Sequence, residues 1–471
     1  MRVGPLEIGS IDQWKPVDGK VVAWNPTPKA LEMAAKAPVS SVPVGFMQAQ
    51  HIRGIIEQRA KGLDYSRQMV VSCEFPGQCD VRAMTYVINA HLRRQDTYRS
   101  WFEYHDGGQI VRRTMENPSD IEFKPTRLGE LGLDEVRDLV LSTPDPMSWD
   151  CFRFGVIQGP DNFTMWASID HVHLDATIVT VTLLEFYMTY TALVAGGAPL
   201  ELPDAGSYSA FCEERFEYAM SLTAESPEVQ AWKAFAESNN NSYPDFPLPL
   251  GDTSVRWNSD MLTMSVMDTE QMARFETACI DAGARFIGGV FACIALAEQE
   301  LTGSDTYYGL TPRDTRHKAA DAMTQGWFTG LTPVTVPVKD GCFAEAARTA
   351  QQSFDTGKSL AAVPYERVLQ LEPTLTSPRP NFPVVNFLDA GTAPLSALLT
   401  ADLDSMNVGV YSDGRYSYQL SIYVARVADE TAVTVMFPDN PEARSSVERF
   451  MTVLMSVFES IAERGQWRKA A

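Results

Sequence analysis

The chain has 471 residues, of which 45% are hydrophobic and 21% charged, proportions that exclude a largely disordered chain and a disulfide-framed miniature. Asp and Glu number 60 against 39 Lys and Arg, and the resulting formal net charge of −21 disfavours nucleic-acid binding and polybasic membrane docking. The length suffices for two or three domains, or for one large two-lobed enzyme.

Hydrophobic periodicity predicts four long helices. In the first, residues 81–102, apolar side chains recur three and four positions apart, as on the buried face of an amphipathic helix. Runs rich in Val, Ile, Thr and aromatic residues predict seven strands. The predicted helices cover residues 81–102, 178–194, 275–301 and 445–463, and the predicted strands cover residues 69–73, 152–158, 163–172, 262–267, 332–338, 416–424 and 431–437. Because strands and helices interleave, we expect a mixed α/β fold.

Two proline-rich stretches predict irregular connections. Residues 239–251 (NNNSYPDFPLPLG) combine an Asn cluster with three prolines, and residues 371–383 (LEPTLTSPRPNFP) have a similar composition. Proline is excluded from helix interiors and from central strands. The first stretch lies near the middle of the chain, where a hinge between two lobes is expected.

Cysteine spacing and hydropathy predict the cellular location. The seven cysteines are odd in number, scattered and never spaced as CxxC, which favours buried thiols in a reducing compartment. The first residues (MRVGPLEIGSIDQW) lack the apolar core of a signal peptide. The longest apolar run, FIGGVFACIALA at residues 286–297, is too short to span a bilayer and is expected to form a buried helix. We therefore expect a cytoplasmic protein.

The segment most typical of a catalytic site is SIDHVHLDA, residues 168–176. It follows an apolar strand and precedes an apolar helix, so it is predicted to form a strand-to-helix turn at the end of a sheet, where active sites concentrate. In an extended conformation, His171, His173 and Asp175 would share one face and could bind a metal. Ala176 stands where metallo-hydrolases of the HxHxDH type have another His, and no second His/Asp cluster is visible, so we predict no metal.

The alternative interpretation pairs His171 with Asp175 as a general base and its supporting carboxylate. A histidine whose pKa is near neutrality can accept a proton from a hydroxyl and return it to a leaving thiol. The pattern HxxxD is short and common, and in isolation it is more typical of a core histidine followed by a helix-capping aspartate.

Five further segments resemble one enzyme family. In chain order they are PVGFMQAQ (residues 43–50), RQDTYRSWF (94–102), LVAGGAPLELP (193–203), DTR (314–316) and GWFTG (326–330). With the HxxxD motif, they resemble the condensation-domain superfamily of CoA-dependent acyltransferases, and most of all the mycobacterial polyketide-associated acyltransferases that esterify trehalose. The sequence departs from the family's HHxxxDG at Asp170 and Ala176, has Gly330 in place of an Asn, and has no DFGWG string near residues 411–416.

The resemblance implies an α/β fold of two chloramphenicol-acetyltransferase-like lobes, each a mixed sheet with flanking helices, with an active-site tunnel between them. The expected organisation is an N-terminal lobe at residues 1–205, a connecting segment at 206–251, and a C-terminal lobe with crossover segments at 252–471. The implied reaction is O-acyl transfer from an acyl thioester to a hydroxyl of trehalose or acyl-trehalose, in cell-envelope glycolipid biosynthesis. A wax-ester or phthiocerol-type ester synthase and a non-catalytic carrier-docking module are the alternatives.

The resemblance also assigns roles to single residues. His171 is expected to be the base, and Asp175 is expected to turn away from it and pair with Arg316, with Arg313 as the second candidate partner. The remaining candidates are Asp170 and His173 for acceptor contact, Trp327 for a channel wall, and backbone amides, Asn386 or Ser421 for the oxyanion. The phosphates of CoA or a carrier arm could bind the basic cluster, for which a solvated helix end is the alternative; this cluster consists of Arg313, Arg316, His317 and Lys318.

Expected ligands and partners follow from the same resemblance. We expect no cofactor and no metal, with acyl-CoA or a synthase-bound acyl chain as co-substrate and trehalose or acyl-trehalose as acceptor. The protein is expected to be a monomer with no nucleic-acid partner, in transient contact with a polyketide synthase or a lipid transporter. Its expected location is the cytoplasm, with a peripheral position at the inner membrane face as an alternative.

Overall fold

Sixteen strands and twelve helices are present in the described part of the chain. We describe them from a computed structural model that covers residues 2–3, 6–63, 66–176, 178–252, 255, 257–339, 341–379, 382–391, 406–415, 420–427 and 429–467. The strands are β1 (Arg2–Val3), β2 (Leu6–Ser10), β3 (Lys20–Pro26), β4 (Gln68–Pro76), β5 (Ser100–His105), β6 (Gln109–Thr114), β7 (Phe123–Glu130), β8 (Phe152–Gln158), β9 (Asn162–Asp170), β10 (Ser259–Asp268), β11 (Thr306–Asp314), β12 (Thr329–Pro337), β13 (Val384–Asp389), β14 (Val408–Ser412), β15 (Ser421–Arg426) and β16 (Glu430–Pro438). The helices are α1 (Pro28–Ala35), α2 (Phe46–Ala60), α3 (Val81–Arg94), α4 (Leu133–Leu141), α5 (Ile178–Val194), α6 (Tyr208–Ser221), α7 (Pro227–Glu237), α8 (Thr269–Asp281), α9 (Phe286–Thr302), α10 (Phe343–Thr356), α11 (Tyr365–Leu371) and α12 (Pro441–Arg464).

The first half of the chain is built on an eight-stranded mixed sheet. Its strand order is β1-β2-β14-β4-β9-β8-β3-β7, with β14 parallel to β2 and antiparallel to β4. Aromatic side chains of β4, β8 and β9 pack with apolar side chains of α3 and α5 in one buried core, which includes Phe75, Phe152 and Phe186. The core holds β9 in place, and the predicted turn follows at its end.

The second half has its own sheet and its own core. The strand order is β10-β16-β15-β13, with β13 parallel to β15, and β11 pairs with β12 in a separate antiparallel ribbon. Helices α8, α9, α10 and α12 bury their apolar faces together with these strands. Since sheets and helices alternate in both halves, the predicted mixed α/β fold is confirmed.

A crossover strand ties the two halves together. β14 follows β13 in the chain, yet it is inserted between β2 and β4 in the sheet of the first half. The second half therefore contributes one strand to the sheet of the first half. The connecting segment 206–251 is more than a linker, because it carries α6 and α7, and α7 packs against second-half residues such as Leu310 and Tyr365.

Two predicted helices have the wrong length. The helix predicted at 81–102 ends at Arg94, and the chain then enters a short 3-10 turn and β5, because Asp96 accepts hydrogen bonds from the backbone N–H groups of Tyr208 and Ser209. The helix predicted at 275–301 is two helices that meet at a bend of 93°. Gly283, with a φ of +77°, ends α8 in the left-handed conformation that glycine tolerates.

The other predicted elements are present with small shifts. The helices predicted at 178–194 and 445–463 are α5 and α12, and the seven predicted strands are β4, β8, β9, β10, β12, β15 and β16. Of the strand predicted at 416–424, residues 416–419 lie outside the described residues. Both predicted connections, 239–251 and 371–383, lack helix and strand wherever they are described, apart from Leu371, the last residue of α11.

The apolar run at residues 286–297 forms the buried part of α9, as predicted. Among the described residues, no single helix is long and apolar enough to cross a membrane, while α8 and α9 reach that threshold only as a bent pair. Both of these helices contribute side chains to the core of the second half.

Candidate active site

The predicted strand-to-helix turn is present, and it carries both central histidines. β9 ends at Asp170, one 3-10 turn covers His171–His173, and α5 begins at Ile178. The carboxylate of Asp170 accepts a hydrogen bond of 3.0 Å from the backbone N–H of Val172 and so caps the turn. Because β9 is buried along nearly its whole length, the turn stands on a rigid base.

His171 lies at the boundary between the two halves. Its backbone N–H donates a hydrogen bond of 2.9 Å to the carbonyl of Arg67, which directly precedes β4. Its half-buried imidazole faces the indole of Trp327, from the second half, with ring centroids 4.1 Å apart and planes tilted by 37°. The guanidinium of Arg67 lies 5.3 Å from the centroid of the same indole. The imidazole is therefore held between backbone from one half and an aromatic ring from the other.

The surroundings of His171 keep its imidazole neutral at physiological pH. Burial lowers the pKa of His171 well below its usual value, and the charges of Arg67 and His51 lower it further. Backbone groups of His171 and Leu174 act in the opposite direction and do not outweigh these causes. Because a neutral imidazole can accept a proton, His171 has the protonation state that a general base requires.

Asp175 points away from His171 and pairs with Arg316. Its two oxygens lie 2.7 and 3.2 Å from the guanidinium nitrogens, and both side chains are less than a tenth exposed. Oδ2 of Asp175 also accepts a hydrogen bond of 2.9 Å from the backbone N–H of Phe328. This is the pairing that the resemblance implied, and it places Trp327, the residue before Phe328, beside the histidine turn.

The remaining donors of Arg316 are occupied by its own half. Its Nε donates to the carbonyl of Asp321 and its Nη2 to the carbonyl of Thr324, both at 3.0 Å. The guanidinium also lies 4.1 Å from the centroid of the Phe328 ring. Arg316 is thus a buried anchor for the loop that carries Asp175.

The second candidate partner of Asp175 is not in contact with it. The Nη1 of Arg313 donates to the carbonyl of Phe354 at 2.9 Å, and its guanidinium lies over the Phe354 ring at 4.4 Å. Arg313 lies on β11 and its side chain reaches Phe354 of α10, whereas Arg316 lies in the loop that follows the strand.

The basic cluster expected to receive phosphates is neutralised. His317 Nε2 lies 2.8 Å and Lys318 Nζ 2.6 Å from the two carboxylate oxygens of Glu214 on α6, and Arg316 is buried with Asp175. Arg313 lies over the Phe354 ring, so the four basic side chains do not converge on one point, and their expected part in phosphate binding stays a prediction.

His173 and Asp170 are buried, so the expectation that they contact the acceptor is wrong. Nδ1 of His173 lies 2.9 Å from the Thr97 hydroxyl, and its Nε2 lies 3.2 Å from Sγ of Cys151. Burial lowers the pKa of His173 to about 4. Asp170 is fully buried and lies 3.1 Å from Nε2 of His51. The 3-10 turn breaks the two-residue alternation of an extended segment and directs His173 into the core.

The three side chains of the possible metal site diverge. His171 faces Trp327, His173 faces Thr97, and Asp175 pairs with Arg316. Within the described ranges, no group of three or more His, Cys, Asp or Glu side chains is arranged to hold a metal ion.

Asn386 and Ser421 lie on neighbouring strands of the second sheet. Asn386 is on β13 opposite Tyr423, and Ser421 begins β15 opposite Val384. In the described part of the chain, the side chain of Asn386 contacts its own strand through the carbonyl of Val384, 3.5 Å away, and no hydrogen bond joins either residue to His171. Their proposed part in oxyanion binding stays a prediction.

Residues of α2 complete the site, and sequence reasoning gave them no role. Gln48 donates a hydrogen bond of 2.8 Å from Nε2 to the carbonyl of Val172, and His51 reaches Asp170. The spacing of Pro43 and Gln48 could have indicated a role for Gln48, because both residues belong to the segment 43–50 that carries the family resemblance. His51 gave no signal, because 119 residues separate it from Asp170.

The resembling segment 94–102 connects the two halves. The side chain of Gln95 donates to the carbonyl of Met323 and accepts from the backbone N–H of Gln325, each at 2.9 Å. Tyr98 also donates to the side chain of Gln325. These contacts hold the loop before Trp327 against the first half.

A cavity of about 730 Å³ lies elsewhere, beside the crossover strand. Its lining includes Trp14, Glu74 and Tyr411 and none of the residues of the histidine turn. This cavity is separate from His171, and the interlobe tunnel stays a prediction.

Comparison with known proteins gives a family, close relatives and a solved structure. The model of the family described as "Condensation domain" matches residues 48–469. The acyltransferase PapA3 of Mycobacterium tuberculosis is 63% identical over 471 residues, which is 100% of both chains. PapA1 of the same species, named as a 2'-acyl-2-O-sulfo-trehalose (hydroxy)phthioceranyltransferase, is 55% identical over 465 residues, 99% of this chain and 90% of that one. A solved structure of PapA2 acyl transferase is similar with a TM-score of 0.93 and 46% identity, covering 97% of this chain and 100% of that one.

Proposed function

The chain belongs to the condensation-domain family and is an acyltransferase, and from this premise we propose that it transfers a long-chain or polyketide-derived acyl group from a thioester to a hydroxyl of trehalose or acyl-trehalose. The two-lobed α/β fold class expected from the resemblance is confirmed. The acceptor class is supported by the name of PapA1, which specifies a sulfated, acylated trehalose.

The observation that carries this proposal is the state of His171. Its ring is neutral, half-buried and placed where the two halves meet. A hydroxyl group is a poor nucleophile until its proton is removed, and general-base catalysis of that step typically contributes about 10²–10⁴-fold in rate. The base faces the boundary at which two substrates could approach from opposite sides.

The reaction needs one base and no cofactor. His171 accepts the proton of a sugar hydroxyl while the hydroxyl oxygen bonds to the thioester carbonyl carbon, which gives a tetrahedral oxyanion. When the oxyanion collapses, the carbon–sulfur bond breaks and the imidazolium returns its proton to the leaving thiolate. The products are an ester and a free thiol, so atoms and charge balance.

No acyl-enzyme intermediate is required. The one cysteine beside a histidine of the turn is Cys151, within the described residues, 3.2 Å from Nε2 of His173. Burial raises the pKa of Cys151 well above its usual value, so its sulfur stays a thiol, which is a weak nucleophile. Direct transfer between the two substrates is the simpler path.

The acyl donor in this proposal is acyl-CoA or a synthase-bound acyl chain. The protein acts on it as a monomer in the cytoplasm. The cysteines of the described chain are free thiols, which suits a reducing compartment. Contact with a polyketide synthase or a lipid transporter is transient in this scheme. The substrates reach His171 through the channel between the lobes.

The test is an acceptor panel with the purified protein. Palmitoyl-CoA is offered with trehalose, with trehalose-2-sulfate or with a long-chain diol, and products are identified by mass spectrometry. Formation of a trehalose ester, absent with the His171→Ala variant, is the expected result. Exclusive acylation of the diol would replace this function with that of a lipid-alcohol ester synthase, and no acylation of any acceptor with either CoA-bound or carrier-bound donor would overturn it.

A further inference from the structure

Two side chains of α2 contact the turn that carries His171. Gln48 donates to the carbonyl of Val172 at 2.8 Å, and one helical turn later Nε2 of His51 lies 3.1 Å from Oδ1 of Asp170. The side chains of His51 and Asp170 are 0% and 1% exposed. A buried contact of this kind holds its partners in one geometry, because neither partner can exchange the other for water.

Two routes link the pair to His171, one through the backbone of the turn and one through Trp327. Asp170 precedes His171, and its carboxylate also accepts from the backbone N–H of Val172, so it fixes the backbone from which the imidazole projects. The His51 ring meets the indole of Trp327 edge-on, with centroids 5.9 Å apart, and the face of that indole lies against His171. Movement of the pair would therefore change both the turn and the ring that packs on the imidazole.

One member of the pair lies at a position where this chain departs from the family motif. The resembling family has two consecutive histidines in HHxxxD, whereas Asp170 occupies the first of those positions in this chain. In this chain, Asp170 pairs with the imidazole of His51 from α2.

We infer that His51 and Asp170 form one positioning unit for His171. The inference rests on the proposed function in one respect, that His171 is the base. His51 and Asp170 are positioning residues and not catalytic ones, since both side chains are closed off from solvent and from substrate. Their effect on turnover is exerted through the turn and through Trp327.

The experiment compares His51→Ala, Asp170→Ala and the double variant in transfer to trehalose. A displacement of about 1 Å in a catalytic group can cost about 10²-fold in rate, so each single variant is expected to lose about that much kcat with little change in KM. The double variant is expected to lose no more than the worse single variant, since a unit can be broken only once. His51→Gln retains an N–H donor toward Asp170 and is expected to recover most of the kcat.

The pH profile separates positioning from mere stability. Arg67 and His51 are the charged groups that lower the pKa of His171, so loss of the His51 imidazole removes one of them. The acid limb of kcat is therefore expected to move to higher pH in both His51 variants. A purely structural role would lower thermal stability and leave this limb unchanged.

The chain offers a matched control. His91 and Glu185 form another buried histidine–carboxylate pair, 2.6 Å apart and at most 3% exposed, on α3 and α5. His91→Gln is expected to cost stability and to leave kcat and its pH profile unchanged.

The outcomes distinguish this inference from the proposed function. Normal turnover in His171→Ala would overturn the proposed function itself. An inactive His171→Ala beside full turnover in His51→Ala and Asp170→Ala, or additive losses in the double variant, would overturn the positioning unit alone. If the alanine variants do not fold, Asp170→Asn keeps volume and a capping oxygen while removing the charge that faces His51. Unchanged kcat and acid limb in Asp170→Asn would then overturn the inference.

Discussion

The carboxylate of Asp175 and the guanidinium of Arg316 form a two-point ion pair between the first and second halves of the chain, with distances of 2.7 and 3.2 Å. His171, four residues earlier, faces Trp327 and has no part in this pair. The structure therefore separates the two residues of the HxxxD motif, and substitution can distinguish the chemical role proposed for His171 from the structural role of Asp175.

Removal of the Asp175 carboxylate is expected to weaken the whole structure. Asp175→Ala removes the buried carboxylate from a guanidinium that is only 7% exposed and leaves it with the half-exposed Asp314, 3.2 Å away, as its carboxylate partner. Breaking a buried pair of this kind typically costs about 3–5 kcal/mol in the free energy of unfolding. Activity should fall with stability, as denaturant unfolding and initial rates on the same samples would show.

The double variant Asp175→Leu/Arg316→Met serves as the control for the buried charge. Because it leaves no unpaired ion, it should be more stable than Asp175→Ala. An Asp175→Ala protein that unfolds like the wild type and has no activity would instead give Asp175 a direct catalytic role.

Substitution of His171, unlike that of Asp175, is expected to lower activity without lowering stability. His171→Ala removes the base, so kcat should fall by about 10²–10⁴-fold while the thermal midpoint barely moves, because a half-buried imidazole contributes little packing. His105→Ala is a control, since that histidine is about half exposed and lies on the β5 strand. Turnover of His171→Ala close to the wild-type value would contradict the assignment of the base.

The sequence predicted the turn that carries His171 better than it predicted the side chains that contact this turn. The apolar runs of β9 and α5 are contiguous and strongly patterned, so the turn between them was predictable, and the family motif distinguished His171 from His173. The partner of Asp170 could not be predicted, because His51 is brought there by the packing of α2 across the sheet. The directions of Asp170 and His173 were mistaken for a similar reason, since a 3-10 turn of three residues leaves no periodic signal.

Acid is expected to destabilise the protein through its buried imidazoles. The pKa of His173 is lowered from 6.5 to about 4 and that of His171 well below 6.5, so the unfolded chain binds more protons than the folded one below pH 6.5. The free energy of unfolding should therefore fall as pH decreases from about 6.5 toward 4, and His173 contributes about 3 kcal/mol of this at about 1.4 kcal/mol per pKa unit.

The glutamine variant at position 173 isolates that contribution. His173→Gln cannot take up a proton, so its free energy of unfolding should vary less between pH 7 and pH 4 than that of the wild type, measured by urea titration. Its KM for the acceptor should be unchanged, because His173 is buried away from solvent. Parallel pH dependences of the two proteins would contradict the expected role of this histidine.

The position of the indole beside the base depends on a glycine. Gly326 has a φ of +151°, and a Cβ there would lie 2.2 Å from the ring of Tyr208. Gly326→Ala is therefore expected to push the chain away from Tyr208, to shift Trp327 from His171 and to lower both kcat and the thermal midpoint. Gly303→Ala is the control for backbone strain alone, since its φ is +76° with no atom within 4 Å of the added Cβ, and it should cost stability without changing kcat. If the clash with Tyr208 is the cause, adding Tyr208→Ala to Gly326→Ala should recover part of the lost kcat. A further loss of kcat in that double variant would contradict the clash with Tyr208 as the reason for the glycine.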